Sequence, residues 1–85
     1  MSNPLYERTV TDPIPVTVNG EPRHVPPGLN VLQLLEVLEI DPSRVAVELN
    51  RSIVHKADWP TTPIGDGAQI EIVWFVGGGS VPGRG

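Results

Sequence analysis

Apolar positions along this chain repeat with two different periods. Ile14, Val16 and Val18 alternate with Pro15 and Thr17, a period of two that predicts a strand with one buried face. Asn19-Gly20 follows, and both residue types tolerate positive φ, so the pair predicts a tight hairpin. Residues 21–25 are the return strand, which Pro22 makes short or outer, because proline cannot donate to a ladder. Pro15 belongs for the same reason at a strand start or on an unpaired side. After the break at Pro26-Pro27-Gly28 the period becomes helical. Val31, Leu34, Leu35 and Leu38 fall at i, i+3, i+4 and i+7, one apolar stripe that must lie on a sheet. Leu32 falls at its flank, and Glu36 and Glu39 point outward. Asn30 with Gln33 three residues on forms a capping-box pattern, so the helix is expected over residues 31–38, with Pro42 barring continuation.

The period of two returns at Val45, Val47 and Leu49, and Asn50-Arg51 turns the chain into a short strand over residues 52–55. Residues 56–59 read as one irregular turn before Pro60. Residues 61–64 read as a loop whose Ile64 plugs the core, and Gly65-Asp66-Gly67 as a tight turn. The run from Ile70 through Val76 is rich in β-branched and aromatic residues that suit the centre of a sheet. Ile70 and Ile72 face the core, with Trp74 as the outermost candidate; Glu71, Val73 and Phe75 face the other way.

The expected fold class is α+β, a ubiquitin-like β-grasp: a mixed four- to five-stranded sheet covered on one face by one main helix. In that arrangement the first and last strands lie parallel at the sheet centre, joined by a right-handed crossover. No second helix is in view to cover Val73 and Phe75, so this pair is the candidate partner-docking face.

Composition bounds the rest. Ten prolines and nine glycines in 85 residues keep the elements short. The expected layout is a disordered lead over 1–12, a β-grasp domain over 13–76 and a flexible glycine-rich arm over 77–85. That leaves about 66 residues between Ile14 and Gly79, near the lower range for folding without staples. With no cysteine, neither a disulfide nor a thiolate metal site is available. The net charge is −4 and the six basic residues are scattered, which argues against a nucleic-acid backbone as partner and for a basic protein surface. No apolar run approaches the ~18 residues of a membrane span, and no basic-then-apolar leader begins the chain, so a cytoplasmic protein without a membrane partner is expected.

Candidate chemistry is sparse. His24 and His55 lack the neighbours that a metal or acid–base site needs and read as surface or turn residues. Asp66 lies between two glycines and reads as a turn residue, and Trp59 as a cover for one end of the core. Gly77-Gly78-Gly79 is different. Glycine-rich stretches ordinarily serve as linkers, but this one follows directly on the last strand. Its lack of side chains fits a channel that would reject any Cβ. Ser80 comes next, without the Gly-Lys-Ser/Thr pattern of a phosphate loop, so the chain has no nucleotide site of that type.

Residues 45–50, Trp59, Asp66-Gly67, residues 70–73 and Phe75-Val76-Gly77-Gly78-Gly79 together resemble the ThiS family, the sulfur carriers of thiamine biosynthesis. The resemblance runs from about Ile14 to Gly79. It implies a carrier, not an enzyme, whose terminal glycine is adenylated with ATP by a partner of the ubiquitin-activating type. The acyl-adenylate then becomes a thiocarboxylate that delivers sulfur to thiazole synthase. A sulfur donor such as a cysteine desulfurase completes the partners. Gly79 is implied as the thiocarboxylate residue, Gly78 and Gly77 as the arm, and Val73 and Phe75 as lying near where the enzymes dock. No cofactor is implied on the chain itself. The family usually ends at its glycines, whereas here residues 80–85 follow, and an amide at Gly79 cannot react as a free carboxylate does. The same arm also fits sulfur carriers for molybdopterin, cysteine or tRNA thiolation. A ubiquitin-like modifier is a further alternative, with Lys56, the sole lysine, as the one internal linkage site.

Overall fold

The computed structural model describes residues 12–75. Strand β1 (Ile14–Val18) turns through Asn19 and Gly20, with φ of 51° and 83°, into antiparallel β2 (Glu21–Val25). Two successive positive φ values make a type I′ hairpin, whose twist matches that of the strands. The second hairpin joins β3 (Val45–Leu49) to β4 (Ser52–Val54) through Asn50 and Arg51, at φ 52° and 73°. Here an arginine occupies the left-handed position that glycine takes more easily.

Strand β5 (Gln69–Trp74) lies between the hairpins, in the order β2-β1-β5-β3-β4. It runs parallel to β1, with Thr17 opposite Gln69 and Val18 opposite Ile70. It runs antiparallel to β3, from Leu49 opposite Ile70 to Val45 opposite Trp74. This is the α+β, β-grasp arrangement expected from the apolar pattern. Both proline-bearing strands sit where proline is tolerated. Pro22 is on the outer strand, and the Pro15 carbonyl faces the turn ahead of β5, where it accepts from the Gly67 N–H at 2.7 Å.

Helix α1 (Val31–Val37) begins with the expected capping box. The Asn30 Oδ1 accepts from the Gln33 N–H at 2.8 Å, and the Gln33 Oε1 accepts from the Asn30 N–H at 3.0 Å. Val31, Leu34 and Leu35 are fully buried against the sheet, and each such side chain stabilises the fold by roughly 1.5–3 kcal/mol. The helix stops before Pro42 for a reason the sequence pattern does not display. Glu39 adopts φ 61°, its N–H donates to the Glu36 carbonyl at 3.0 Å, and the Ile40 N–H donates to the Leu35 carbonyl at 2.9 Å. This is a Schellman stop built on glutamate instead of glycine, and Ile40 packs against the core behind it. Pro42 opens a 3₁₀ turn, Pro42–Arg44, capped by Asp41.

The stretch expected to be one irregular turn ending before Pro60 is a 3₁₀ helix, Lys56–Thr61, which takes in Pro60. The short strand before it ends at Val54, and His55 is the N-cap. Trp59 is buried, and its indole N–H donates to the Val54 carbonyl at 2.9 Å, so a large apolar ring is covered without an orphaned donor. The Lys56 ammonium lies 5.5 Å from the ring centroid. Ile64 is buried as expected, with Val16, Val18, Val45, Val47, Ile70 and Ile72. Trp74 is not: it is 48% exposed. Of the expected lead over 1–12, residues 1–11 lie outside the described residues, as does the whole expected glycine arm over 77–85.

Candidate functional site: the uncovered sheet face and the end of the central strand

The two hairpin asparagines do more than turn the chain. Each bonds β5 with both backbone and side chain. The Asn50 N–H donates to the Gln69 carbonyl at 2.7 Å, and the Asn50 Oδ1 accepts from the Gln69 N–H at 2.9 Å. On the other side the Asn19 N–H donates to the Ile70 carbonyl at 2.8 Å. The Asn19 side chain then reaches one step further: its Oδ1 accepts from the Ile72 N–H at 2.6 Å and its Nδ2 donates to the Ile72 carbonyl at 3.2 Å. A side-chain amide thus stands in for the next residue of β1 after that strand has turned away. Past the last β3–β5 pair, the Phe75 N–H donates to the Arg44 carbonyl at 2.9 Å. The path of the backbone is held as far as the last residue before Val76.

The face of the sheet away from α1 carries the second part of the site. Val73, 57% exposed, pairs with exposed Ala46. Glu71 pairs with Glu48, which pairs in turn with Ile53, 67% exposed. Phe75 is half-buried at the end of the row. A cleft of about 360 Å³ opens on the sheet, lined by Thr17, Glu48, Arg51, Gln69 and Glu71. Like charges directly opposite each other across two strands destabilise a sheet. Glu48 opposite Glu71 therefore gives this apolar face an acidic centre that folding alone does not favour.

Of the residues marked out in advance, Val73 and Phe75 lie at this end of β5, while Gly77, Gly78 and Gly79 lie outside the described residues. Ala46, Glu48 and Ile53 join the face without having been singled out. The alternation of β3 was the available signal for Ala46 and Glu48, since Val45 and Val47 point to the core. His24 and His55 are exposed, and the described residues contain no group of three metal-ligating side chains. Asp41 titrates below the ordinary carboxylate value, first because the Ser43 backbone N–H bonds its carboxylate, then through the Ser43 hydroxyl and Arg44. It belongs to a turn cap, not to this face. No helix among the described residues is long and apolar enough to cross a membrane.

A β-grasp domain with one sheet face that no described helix covers, its central strand followed in the sequence by a run of glycines, has the layout of a ubiquitin-like domain. Comparison with known proteins narrows the class. The model of the ThiS family matches residues 16–79. The crystal structure of the thiamine biosynthesis protein (ThiS) from Geobacter metallireducens superposes with a TM-score of 0.69 at 36% identity, covering 78% of this chain and all of that one. Two thiazole synthases are also similar. That of Paramagnetospirillum magneticum is 42% identical over 65 residues, 76% of this chain and 20% of its own length. That of Magnetococcus marinus is 36% identical over 67 residues, 79% of this chain and 21% of its own. The chain therefore spans about a fifth of the length of these two relatives. The chain belongs to the ThiS family.

Proposed function

We propose that this chain carries sulfur as a thiocarboxylate on Gly79, exposed by removal of residues 80–85. The observation that carries the reading is that the family match runs through the glycines and stops at Gly79. The chemistry is consistent with it. A terminal carboxylate has a reference pKa of ~3.3–3.7 and is ionised at neutral pH. One of its oxygens attacks the α-phosphorus of ATP and pyrophosphate leaves; the terminal sulfur of a cysteine persulfide on a donor such as a cysteine desulfurase then displaces AMP from the acyl carbon, and a second thiol attacks the donor's sulfur, forming a disulfide there and releasing the thiocarboxylate. The ATP site belongs to an adenylating partner of the ubiquitin-activating type. The chain is the substrate tethered to it and works in the cytoplasm, where ATP is at hand.

Two features support the partners. The apolar face centred on Glu48 and Glu71 suits a partner surface that brings a basic side chain, since opposite charges complement across an interface. The thiazole synthases that contain a region similar to this chain support thiazole synthase as the sulfur acceptor. The test is ATP–pyrophosphate exchange with the cognate activating enzyme, comparing the full chain with one ending at Gly79. Exchange by the shorter chain alone is expected. Equal exchange by both would reject trimming, and none by either would reject the carrier reading.

A further inference from the structure

Strand β1 pairs with β5 only at Thr17 and Val18, opposite Gln69 and Ile70. One step further along β5, the Asn19 side chain holds the β1 flank, with one bond from the Ile72 N–H at 2.6 Å and one to the Ile72 carbonyl at 3.2 Å. The residue with this duty is also chemically the least durable asparagine of the chain. An asparagine side chain can be attacked by the backbone nitrogen of the residue that follows it, which is why asparagine is thermolabile. Asn3 precedes a proline, which has no N–H to lose; Asn30 precedes β-branched Val31, and Asn50 precedes Arg51, whose side chains crowd the nitrogen. Only Asn19 precedes a glycine. Both Asn19 and Gly20 are exposed, and a Cβ at Gly20 would meet nothing within 4 Å, so the turn is open to water and has room for a new ring.

We propose that Asn19 is a latent deamidation site, held shut by its two bonds to Ile72, and that its conversion releases the β1 flank of β5. In the reaction the Gly20 nitrogen attacks the Asn19 Cγ and gives up its proton, the Cγ–Nδ2 bond breaks, and ammonia leaves a succinimide ring behind. Water then opens the ring at either carbonyl, to aspartate or to isoaspartate. One water is consumed and one ammonia released, with no oxidant or reductant. The two bonds fix the plane of the amide against β5, and the nitrogen that must leave is bonded to the Ile72 carbonyl. Attack therefore proceeds from the fraction of chains in which this junction has opened. Neither product closes it again. Aspartate still accepts from the Ile72 N–H, but it has lost the donor and sets a second acceptor against the Ile72 carbonyl oxygen. Isoaspartate adds a carbon to the backbone of a two-residue turn whose length sets the register of the hairpin. The inference is independent of the carrier reading above.

The experiment needs no substitution. The full chain is incubated in mildly alkaline buffer, folded in one arm and unfolded in urea in the other, and deamidation at each asparagine is followed by peptide mapping. The deamidated chain carries one more negative charge, so anion exchange separates it, and its amide exchange is then measured by NMR beside that of the unmodified chain. The expected result is deamidation at Asn19 ahead of Asn30 and Asn50 in urea, and at Asn19 about tenfold or more slower in the folded chain, the weight of two hydrogen bonds. The separated product should have lost protection at the Ile72 amide while keeping it at Phe75, whose N–H bonds the Arg44 carbonyl on the β3 side. Equal Asn19 rates in the two arms mean that the bonds to Ile72 gate nothing, and overturn the proposal. So does an Asn19 no faster than Asn50 in urea, which removes the reactive site itself. A product that keeps Ile72 protected overturns the release, and one that loses Ile72 and Phe75 together shows that the whole sheet opens instead of one flank, which overturns it as well.

Discussion

Ile70 and Ile72 are 1% and 4% exposed, whereas Val73 and Trp74, the next residues of the same strand, are 57% and 48% exposed. All four are strand-forming apolar side chains, so hydrophobicity does not separate them. Coverage does. Ile70 and Ile72 lie under Leu34 and Leu35 within one core, with β3 on one flank and β1 or its asparagine on the other. Val73 faces the side that no helix among the described residues covers, and Trp74 lies beyond the end of β1. One half of β5 holds the domain together, and the other is left for contacts the domain does not itself make.

The sharpest way to break this contrast is to exchange the effects of neighbouring substitutions. Ile72→Ala is expected to cost about 2–5 kcal/mol in urea unfolding, through lost burial and an unfilled cavity. Val73→Ala should change stability by no more than about 0.5 kcal/mol and instead weaken binding to the activating enzyme. If Val73→Ala unfolds the domain as readily as Ile72→Ala does, the division of the strand is wrong. Next in size is Asn19→Gly. It keeps the left-handed turn but removes both side-chain bonds to Ile72, and should cost about 1–3 kcal/mol. A loss confined to a few tenths would show that water replaces the amide freely. Glu39→Gly should act in the opposite direction, raising stability by about 0.5–1 kcal/mol, because the helix stop needs positive φ there and a Cβ opposes it.

The smallest effect concerns pH. The Asp41 carboxyl is held down by the Ser43 N–H, so its contribution is present above the unfolded value and is lost as pH falls through the lower folded value. The side chain is exposed, so the effect is slight. Asp41→Asn should flatten the acid limb of the stability curve below about pH 4 and leave neutral pH nearly unaffected. An unchanged acid limb would remove Asp41 from the account.

Much of this fold was legible in the residue pattern because its rules are local. Alternation marked Val16, Val45, Val47, Ile70 and Ile72, helical spacing marked Val31, Leu34 and Leu35, and Asn30 with Gln33 marked the helix start. What escaped was set by partners distant in the chain. The exposure of Trp74 follows from where β1 ends, at Val18, far back in the chain. The helix stop at Glu39 was hidden because glutamate, not glycine, takes the left-handed position. Glu48 and Glu71 became a pair only through the register of β3 on β5. For the site, Val73 and Phe75 were placed by the same alternation, whereas Asn19 and Asn50 read as turn formers and showed nothing of their grip on β5.

The central claim is that the chain ends in service at Gly79 and carries sulfur there. Intact-mass measurement of the protein isolated from its own host tests both parts at once. The account predicts a species ending at Gly79, together with one heavier by the exchange of a single oxygen for sulfur, the extra mass mapping to the terminal glycine. A chain that retains residues 80–85 in full under thiamine-limited growth, with no sulfur-bearing form, would contradict it.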